Sequence, residues 1–115
     1  MTLRIVREAV TRAELASLAE IRFGDMVKAV VDLERRVMAI GAELHADEEA
    51  ALLDEGSRQV DLWGINLYPS ETGEGWIEFD SVINIRPSLG NRSRGVDDAG
   101  RRDAIKQIVE SLVRS

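Results

Sequence analysis

The chain has 115 residues and a mass of 12.8 kDa, the size of one ordinary domain. It has no cysteine and one histidine, His45, which excludes disulfides, thiol catalysis, cysteine-ligated metal sites and two-histidine metal clusters. The 21 acidic and 15 basic residues give a net charge of -6, which argues against extensive, nonspecific nucleic-acid binding.

The composition is that of a folded protein, with 44% hydrophobic and 31% charged residues. No apolar run approaches the roughly 20 residues of a membrane span, and residues 1–4 carry no signal-peptide core. We therefore expect a cytoplasmic protein without a membrane partner.

The N-terminal part of the chain predicts a strand followed by a helix. Residues 3–7 alternate apolar and charged side chains, which is typical of a short strand. Thr11 and Glu14 have the spacing of a capping box, and Leu15 begins an apolar helical face. Gly24 provides a residue that closes such a helix in the left-handed conformation.

Residues 26–44 fit two structures. Alternating apolar and polar residues on both sides of Arg35 and Arg36 indicate a β-hairpin. A single amphipathic helix also fits, because one set of apolar residues is spaced by three and four: Met26, Val30, Leu33, Val37 and Ile40. The valine content and Gly41 favour the hairpin.

The remaining elements predict an α+β fold. Residues 46–55 form a helix with an acidic first turn, residues 59–68 and 76–86 form two strands, and a last amphipathic helix begins at Asp97 or Asp98. The order β-α-β-β-α-β-β-α predicts a single domain over residues 1–115. Its sheet is mostly antiparallel, with about five strands and two or three helices packed on it.

Polar residues of the second predicted strand suggest one candidate site. Glu78, Asp80, Asn84 and Arg86 share one face, to which Asn66 and Tyr68 of the first strand contribute. Ser81 falls on the opposite, apolar face. Such carboxylate, amide and guanidinium groups suit acid–base catalysis, and they also suit an ordinary solvated sheet face.

The loop after that strand is basic and suggests an anion site. Residues 86–102 contain five arginines and two aspartates, a net +3, and two of these arginines lie in the first helical turn, where the dipole disfavours cations. A bound phosphate or carboxylate would offset this charge, and so would nearby aspartates in a solvated, salt-bridged loop. The predicted ligand-binding residues are Asn84, Arg86, Asn91, Arg92, Ser93 and Arg94.

The segment around the histidine suggests a divalent-metal site. Helical spacing of three and four residues brings His45 beside Glu48 and Glu49, and the predicted metal ligands are His45, Asp47 and Glu48. A metal-dependent hydrolase would use these residues or, alternatively, Glu78 and Asp80. The alternative is a capping histidine followed by an acidic first turn. No other cofactor is expected.

Trp63 and Trp76 lie in the two predicted strands. They fit an aromatic stacking platform, and they fit core or interface duty better because the chain has so few aromatic residues. A sheet edge or face left free for pairing predicts a homodimer.

Five segments of the chain resemble those of a small prokaryotic protein family of unknown function: residues 23–32, 43–49, 61–69, 84–87 and 91–94. The resemblance implies a free-standing prokaryotic domain and assigns no activity, substrate or cofactor. The residues themselves favour a binding module for an anionic ligand. A divalent-metal hydrolase and a structural homodimer are the alternatives, so whether the protein is an enzyme stays open.

Overall fold

An antiparallel sheet with helices on both faces organises the computed structural model, which describes residues 3–115. Of the N-terminal residues 1–4 considered above, Met1 and Thr2 lie outside the described part. The strands are Arg4–Val6 (β1), Val10–Thr11 (β2), Val27–Asp32 (β3), Val37–Ile40 (β4), Leu62–Leu67 (β5), Ile77–Glu78 (β6) and Val113–Arg114 (β7). The α-helices are Arg12–Arg22 (α1), His45–Asp54 (α2) and Ala99–Leu112 (α3).

The α+β prediction is confirmed. Five strands pair in the order β1-β4-β3-β5-β6, and every neighbouring pair is antiparallel. The sequence did not predict the short parallel pair of β2 and β7, which joins the start of α1 to the end of α3. None of the α-helices within residues 3–115 has the length and apolarity needed to cross a membrane.

The capping box at the start of α1 is present. The Thr11 hydroxyl accepts from the Glu14 amide at 3.1 Å, and the Glu14 carboxylate accepts from the Thr11 amide at 2.9 Å. Two of the free amides at the helix end are thereby satisfied.

The hairpin prediction for residues 26–44 is confirmed, and the single helix is excluded. Asp32 builds the turn, because its Oδ1 accepts from the amides of Glu34 and Arg35, both at 2.9 Å. Arg36 takes the left-handed conformation at φ 57°, and the chain returns as β4. Nearly all side chains of β3 and β4 are buried on both faces of the sheet because helices cover both.

The sheet separates two hydrophobic cores. Successive strand residues point to opposite faces, so Val31 and Trp63 pack with α1 and α3 while Val30 and Leu62 pack with Leu52 of α2. The first core is larger and contains Trp76 as well. Both tryptophans are buried, as expected for core residues.

The predicted strand over residues 76–86 is wrong for most of its length. Only two residues pair with β5, as β6, and the chain then forms short 3-10 turns at Val82–Asn84 and Pro87–Leu89. The two faces predicted for this strand therefore do not exist, and Ile85 is 44% exposed. Similarly, the predicted start of the preceding strand is a 3-10 turn at Gln59–Asp61, so β5 begins at Leu62.

Side chains replace the missing strand along the outer edge of β5. Asn84 Oδ1 accepts from the Gly64 amide at 2.8 Å, and its Nδ2 donates to the Gly64 carbonyl at 2.9 Å. Arg86 donates to the Leu62 carbonyl at 2.6 Å. The backbone groups at this edge of β5 thus have hydrogen-bond partners without a continuous strand beside them.

Candidate functional site

The two asparagines among the predicted ligand-binding residues, Asn84 and Asn91, are fully buried. Asn84 holds Gly64 and also donates to the Arg94 carbonyl at 3.0 Å. Asn91 donates to three backbone carbonyls, and its Oδ1 accepts from the Asp97 amide at 2.8 Å. These amides shape the basic loop and hold it against the sheet.

Arg86 points toward α2. It pairs with Glu49 at 2.9 Å, and the two side chains are only 12% and 14% exposed. Burial lowers the pKa of Arg86, while the Glu49 carboxylate acts in the opposite direction. The guanidinium also lies 4.9 Å from the centre of the Trp63 ring. Arg86 is therefore held by contacts within the protein.

The other predicted ligand-binding residues, Arg92, Ser93 and Arg94, are exposed. The Ser93 hydroxyl donates to Asp97 at 2.6 Å and lowers the pKa of that carboxyl, and the Arg92 amide also donates to Asp97. Arg94 donates from Nε to Asp80 at 2.6 Å. Arg92 and Arg94 thus present their guanidinium groups at the surface.

Backbone and ring contacts offset the basic first turn of α3. Arg102 donates to the carbonyls of Val96 and Asp97, and Arg101 stacks 4.4 Å from the centre of the Trp63 ring. Asp98 caps the helix by accepting from the Arg101 amide at 2.8 Å. Carbonyl oxygens and an aromatic face thus supply the negative potential that offsets the positive charges of Arg101 and Arg102.

The residues proposed for a metal site are engaged separately. Asp47 is exposed, whereas the Glu48 carboxylate accepts from the Ala42 amide at 3.0 Å. Glu78 accepts from Asn66 at 2.8 Å and from the Tyr68 hydroxyl at 3.1 Å. Among residues 3–115, no group of three histidine or acidic residues could hold a metal ion.

A cleft of about 210 Å³ lies at the start of α2, on the face of the sheet that this helix covers. Four polar side chains line it: Lys28, His45, Ser81 and Arg94. The structure thus brings the histidine of the predicted metal group next to an arginine of the predicted anion loop. We call this site the α2 cleft.

Gly64 makes room for the α2 cleft. A Cβ atom at this position would lie 2.6 Å from the Cβ of Ser81 and 3.2 Å from Cδ2 of His45. The absent side chain lets both residues pack onto β5. The Ser81 amide donates to the Arg94 carbonyl at 2.9 Å, which places the basic loop at the rim.

The histidine ring has a defined tautomer. Nε2 of His45 lies 2.8 Å from the Ile65 carbonyl, which can only accept, so Nε2 carries the proton and Nδ1 is the acceptor in the neutral ring. Burial lowers the pKa of His45 below its ordinary 6.5. The charges of Lys28 and Arg94 act in the same direction, whereas the Ile65 bond and Asp80 raise it. His45 is therefore neutral at pH 7.

The fixed charges of the α2 cleft are positive overall. Lys28 and Arg94 each contribute one positive charge, and Asp80 beside Arg94 contributes one negative charge. Burial raises the pKa of Glu48 to about 9. Glu48 also lies close enough to Lys28 to interact with it. Glu48 is thus protonated at neutral pH and does not cancel the charge of Lys28.

Sequence reasoning missed Lys28 and Ser81. A signal for Lys28 was available, because it is the only charge in the first five residues of β3, between Val27 and Val31. Ser81 had no comparable signal, since its place depends on the chain leaving the predicted strand after β6.

The fold and the cleft define a class: a small α+β domain in which helices cover both faces of an antiparallel sheet and a basic cleft adjoins the first turn of one helix. Within that class, the chain belongs to the family described as "protein of unknown function (DUF5674)", which matches residues 4–112. The expected resemblance to a family of unknown function is thereby confirmed. No curated protein and no solved structure matches the chain.

Proposed function

We propose that the protein is a binding module for a small anionic ligand, bearing a phosphate or carboxylate group, which it holds in the α2 cleft. The observation that carries the proposal is the meeting of Lys28 from β3 and Arg94 from the basic loop beside the first turn of α2. This retains the anion-binding loop expected from the sequence and assigns the binding to its Arg94 end.

The start of α2 supports an anion in this position. Leu44 occupies the N-cap and provides no side-chain hydrogen bond to the first-turn amides. The amides at a helix N-terminus carry a partial positive charge, which favours bound anions. Leu44 and Ala46 both line the cleft, so a ligand there lies next to these amides.

Arg94 has donors to spare for a ligand. Among residues 3–115, its guanidinium is engaged only through Nε, with Asp80. The two Nη groups can form a forked pair of bonds to a carboxylate or phosphate. The Ser81 hydroxyl oxygen accepts from the Ile83 amide at 3.3 Å, which leaves its hydrogen to donate.

Calorimetric titration with inorganic phosphate and with acetate tests the proposal. We expect Arg94→Ala and Lys28→Met each to weaken binding about ten- to a hundredfold, because each removes a charge-assisted bond. Arg58→Ala is the matched control, since Arg58 is exposed and is not among the described residues that line the cleft.

Two results would contradict this proposal. One is the absence of binding by phosphate, sulfate and carboxylates at millimolar concentration. The other is a loss for Arg92→Ala as large as that for Arg94→Ala, because Arg92 is not among the described residues lining the α2 cleft. That loss would place the ligand on the loop surface.

His45 offers an independent readout because it is the only histidine of the chain. Lys28, Asp80 and Arg94 are the charged groups that act on its ring. A bound anion favours the imidazolium form, so sulfate should raise the pKa of His45. Sulfate should therefore bind more tightly as the pH falls and the His45 ring becomes protonated. Proton NMR of the imidazole measures the pKa, and Arg94→Ala should abolish the effect of sulfate.

A cytosolic, prokaryotic setting is part of the proposal. The absence of cysteine suits a reducing compartment, and the family resemblance implies a prokaryotic source. Cell fractionation of the natural host tests the location. The metal-dependent hydrolase and the homodimer remain predictions from the sequence.

A further inference from the structure

An apolar groove continues from the α2 cleft. It has a volume of about 420 Å³, and six of its ten described lining residues are apolar, among them Val60, Ile85 and Leu89. Val82 and Ile83 line both the groove and the cleft, so the two spaces share a wall. We call this second space the apolar groove.

Exposed apolar side chains concentrate on this joined surface. Seven large hydrophobic residues are exposed among residues 3–115, and four of them line the cleft or the groove. These four are Leu44, Val60, Val82 and Ile85, with exposures of 52%, 44%, 63% and 44%. A contiguous set of exposed apolar residues marks a binding surface more often than scattered ones do.

The groove has no uncompensated charge of its own. Its two charged lining residues, Glu49 and Arg86, neutralise each other in a nearly buried ion pair. The α2 cleft, by contrast, has an excess of positive charge from Lys28 and Arg94. The joined surface therefore has a net positive charge at the cleft end and no net charge at the groove end.

We infer that the ligand is an amphiphilic anion, whose charged head lies in the α2 cleft and whose alkyl chain crosses Val82 and Ile83 into the apolar groove. This inference rests on the anion-binding function proposed above and adds the chemical class of the ligand. Medium-chain alkyl carboxylates have this chemistry. The head meets Lys28 and Arg94, and the chain removes exposed apolar surface from water.

Titrations with acetate, butanoate, hexanoate and octanoate test the inference by calorimetry. Each added methylene should strengthen binding about two- to fourfold, as expected for a chain that is partly to fully buried. Octylammonium has the same alkyl chain as octanoate and the opposite charge, and it should bind more weakly than octanoate. Arg94→Ala should weaken the binding of acetate and of octanoate alike.

Substitutions in the groove test the contribution of the ligand's alkyl chain separately from that of its charged head. Ile85→Ser and, independently, Val60→Ser should reduce octanoate affinity at least fivefold and leave acetate affinity unchanged, because both side chains line the groove and neither lines the α2 cleft. Ile21→Ser is the matched control, since Ile21 is 62% exposed on α1.

The outcomes distinguish this inference from the proposed function. If octanoate binds no more tightly than acetate while Arg94→Ala weakens both, the amphiphilic ligand is overturned and the anion site stands. If neither acid nor phosphate binds, both proposals are overturned. Octylammonium binding as tight as that of octanoate would overturn the charged-head assignment.

Discussion

Glu48 shows how the fold decides the charge of a single residue. It lies in the first turn of α2 without exposed surface, and its Oε1 atom has no partner among the described residues. Burial raises the pKa of this carboxyl to about 9, although the Ala42 amide and Lys28 favour the ionised form. From the sequence, an acidic residue at the start of a helix is expected to be charged. In the folded protein Glu48 is neutral.

The neutral form of Glu48 predicts a pH dependence of stability. The unfolded chain loses this proton near pH 4.5, whereas the folded chain keeps it until about pH 9. The folded state therefore binds more protons, and the contribution of Glu48 to stability falls as pH rises across this window. Glu48→Gln should remove that slope and raise the free energy of unfolding by about 1 to 3 kcal/mol at pH 7.

Urea denaturation at pH 5, 7 and 9 measures the effect of Glu48→Gln. Glu43→Gln makes the same chemical change at an exposed position of the neighbouring loop and serves as the control. A variant that keeps the pH slope of the unmodified protein would show that Glu48 ionises normally in the fold.

At the scale of elements, the edge of β5 connects the fold to the α2 cleft. Asn84 replaces a strand residue by pairing with both backbone groups of Gly64, and it also holds the Arg94 carbonyl. The same side chain therefore completes the sheet and positions one cation of the cleft.

Asn84→Ala should lower stability by about 2 to 4 kcal/mol, because buried backbone groups of Gly64 lose their partners. The variant should also weaken phosphate binding through displacement of Arg94. Hydrogen exchange of the Gly64 amide should become faster, and Asn91→Ala is the comparison because the Asn91 side chain is equally buried and makes no hydrogen bond to Gly64. Equal exchange of this amide in both variants would contradict the role given to Asn84.

At the scale of the whole molecule, one sheet supports two cores. Strands β3, β4 and β5 contribute side chains to the core under α1 and α3 and to the core under α2. Since neither core can lose its strands without exposing the other, we expect the described domain to unfold as one unit.

Leu52→Ala on the α2 side and Ile108→Ala on the other side test this cooperativity. Both side chains are buried, and each truncation should destabilise the fold by about 2 to 5 kcal/mol. Tryptophan fluorescence reports the larger core, which holds Trp63 and Trp76, and circular dichroism reports all helices. The two transitions should coincide in each variant; a separate early loss of helix in Leu52→Ala would mean that α2 unfolds independently.

The net charge of -6 also has a spatial meaning. Residues 43–55 carry six acids and no lysine or arginine, whereas residues 86–102 are basic. The fold brings these segments together through the Arg86–Glu49 pair, and burial neutralises Glu48. The acidic helix can therefore adjoin a cationic cleft.

Short-range patterns in the sequence determined several elements correctly. The Thr11 capping box, the hairpin around Asp32 and the apolar stripe of α3 each depend on residues a few positions apart, and each is present in the structure. The α+β class follows from their order, and the antiparallel sheet with its three α-helices confirms it. These features could be predicted because their energetics are local.

Tertiary structure alone decided where the strand predicted over residues 76–86 ends and which residues line the α2 cleft. Asn84 could replace a strand only because Gly64, twenty positions earlier, left backbone groups free on the sheet edge. Lys28 and Arg94 likewise meet because β3 and the basic loop pack around the start of α2. Such contacts join residues far apart in the chain, and the burial that sets their charges exists only after the sheet and helices have packed.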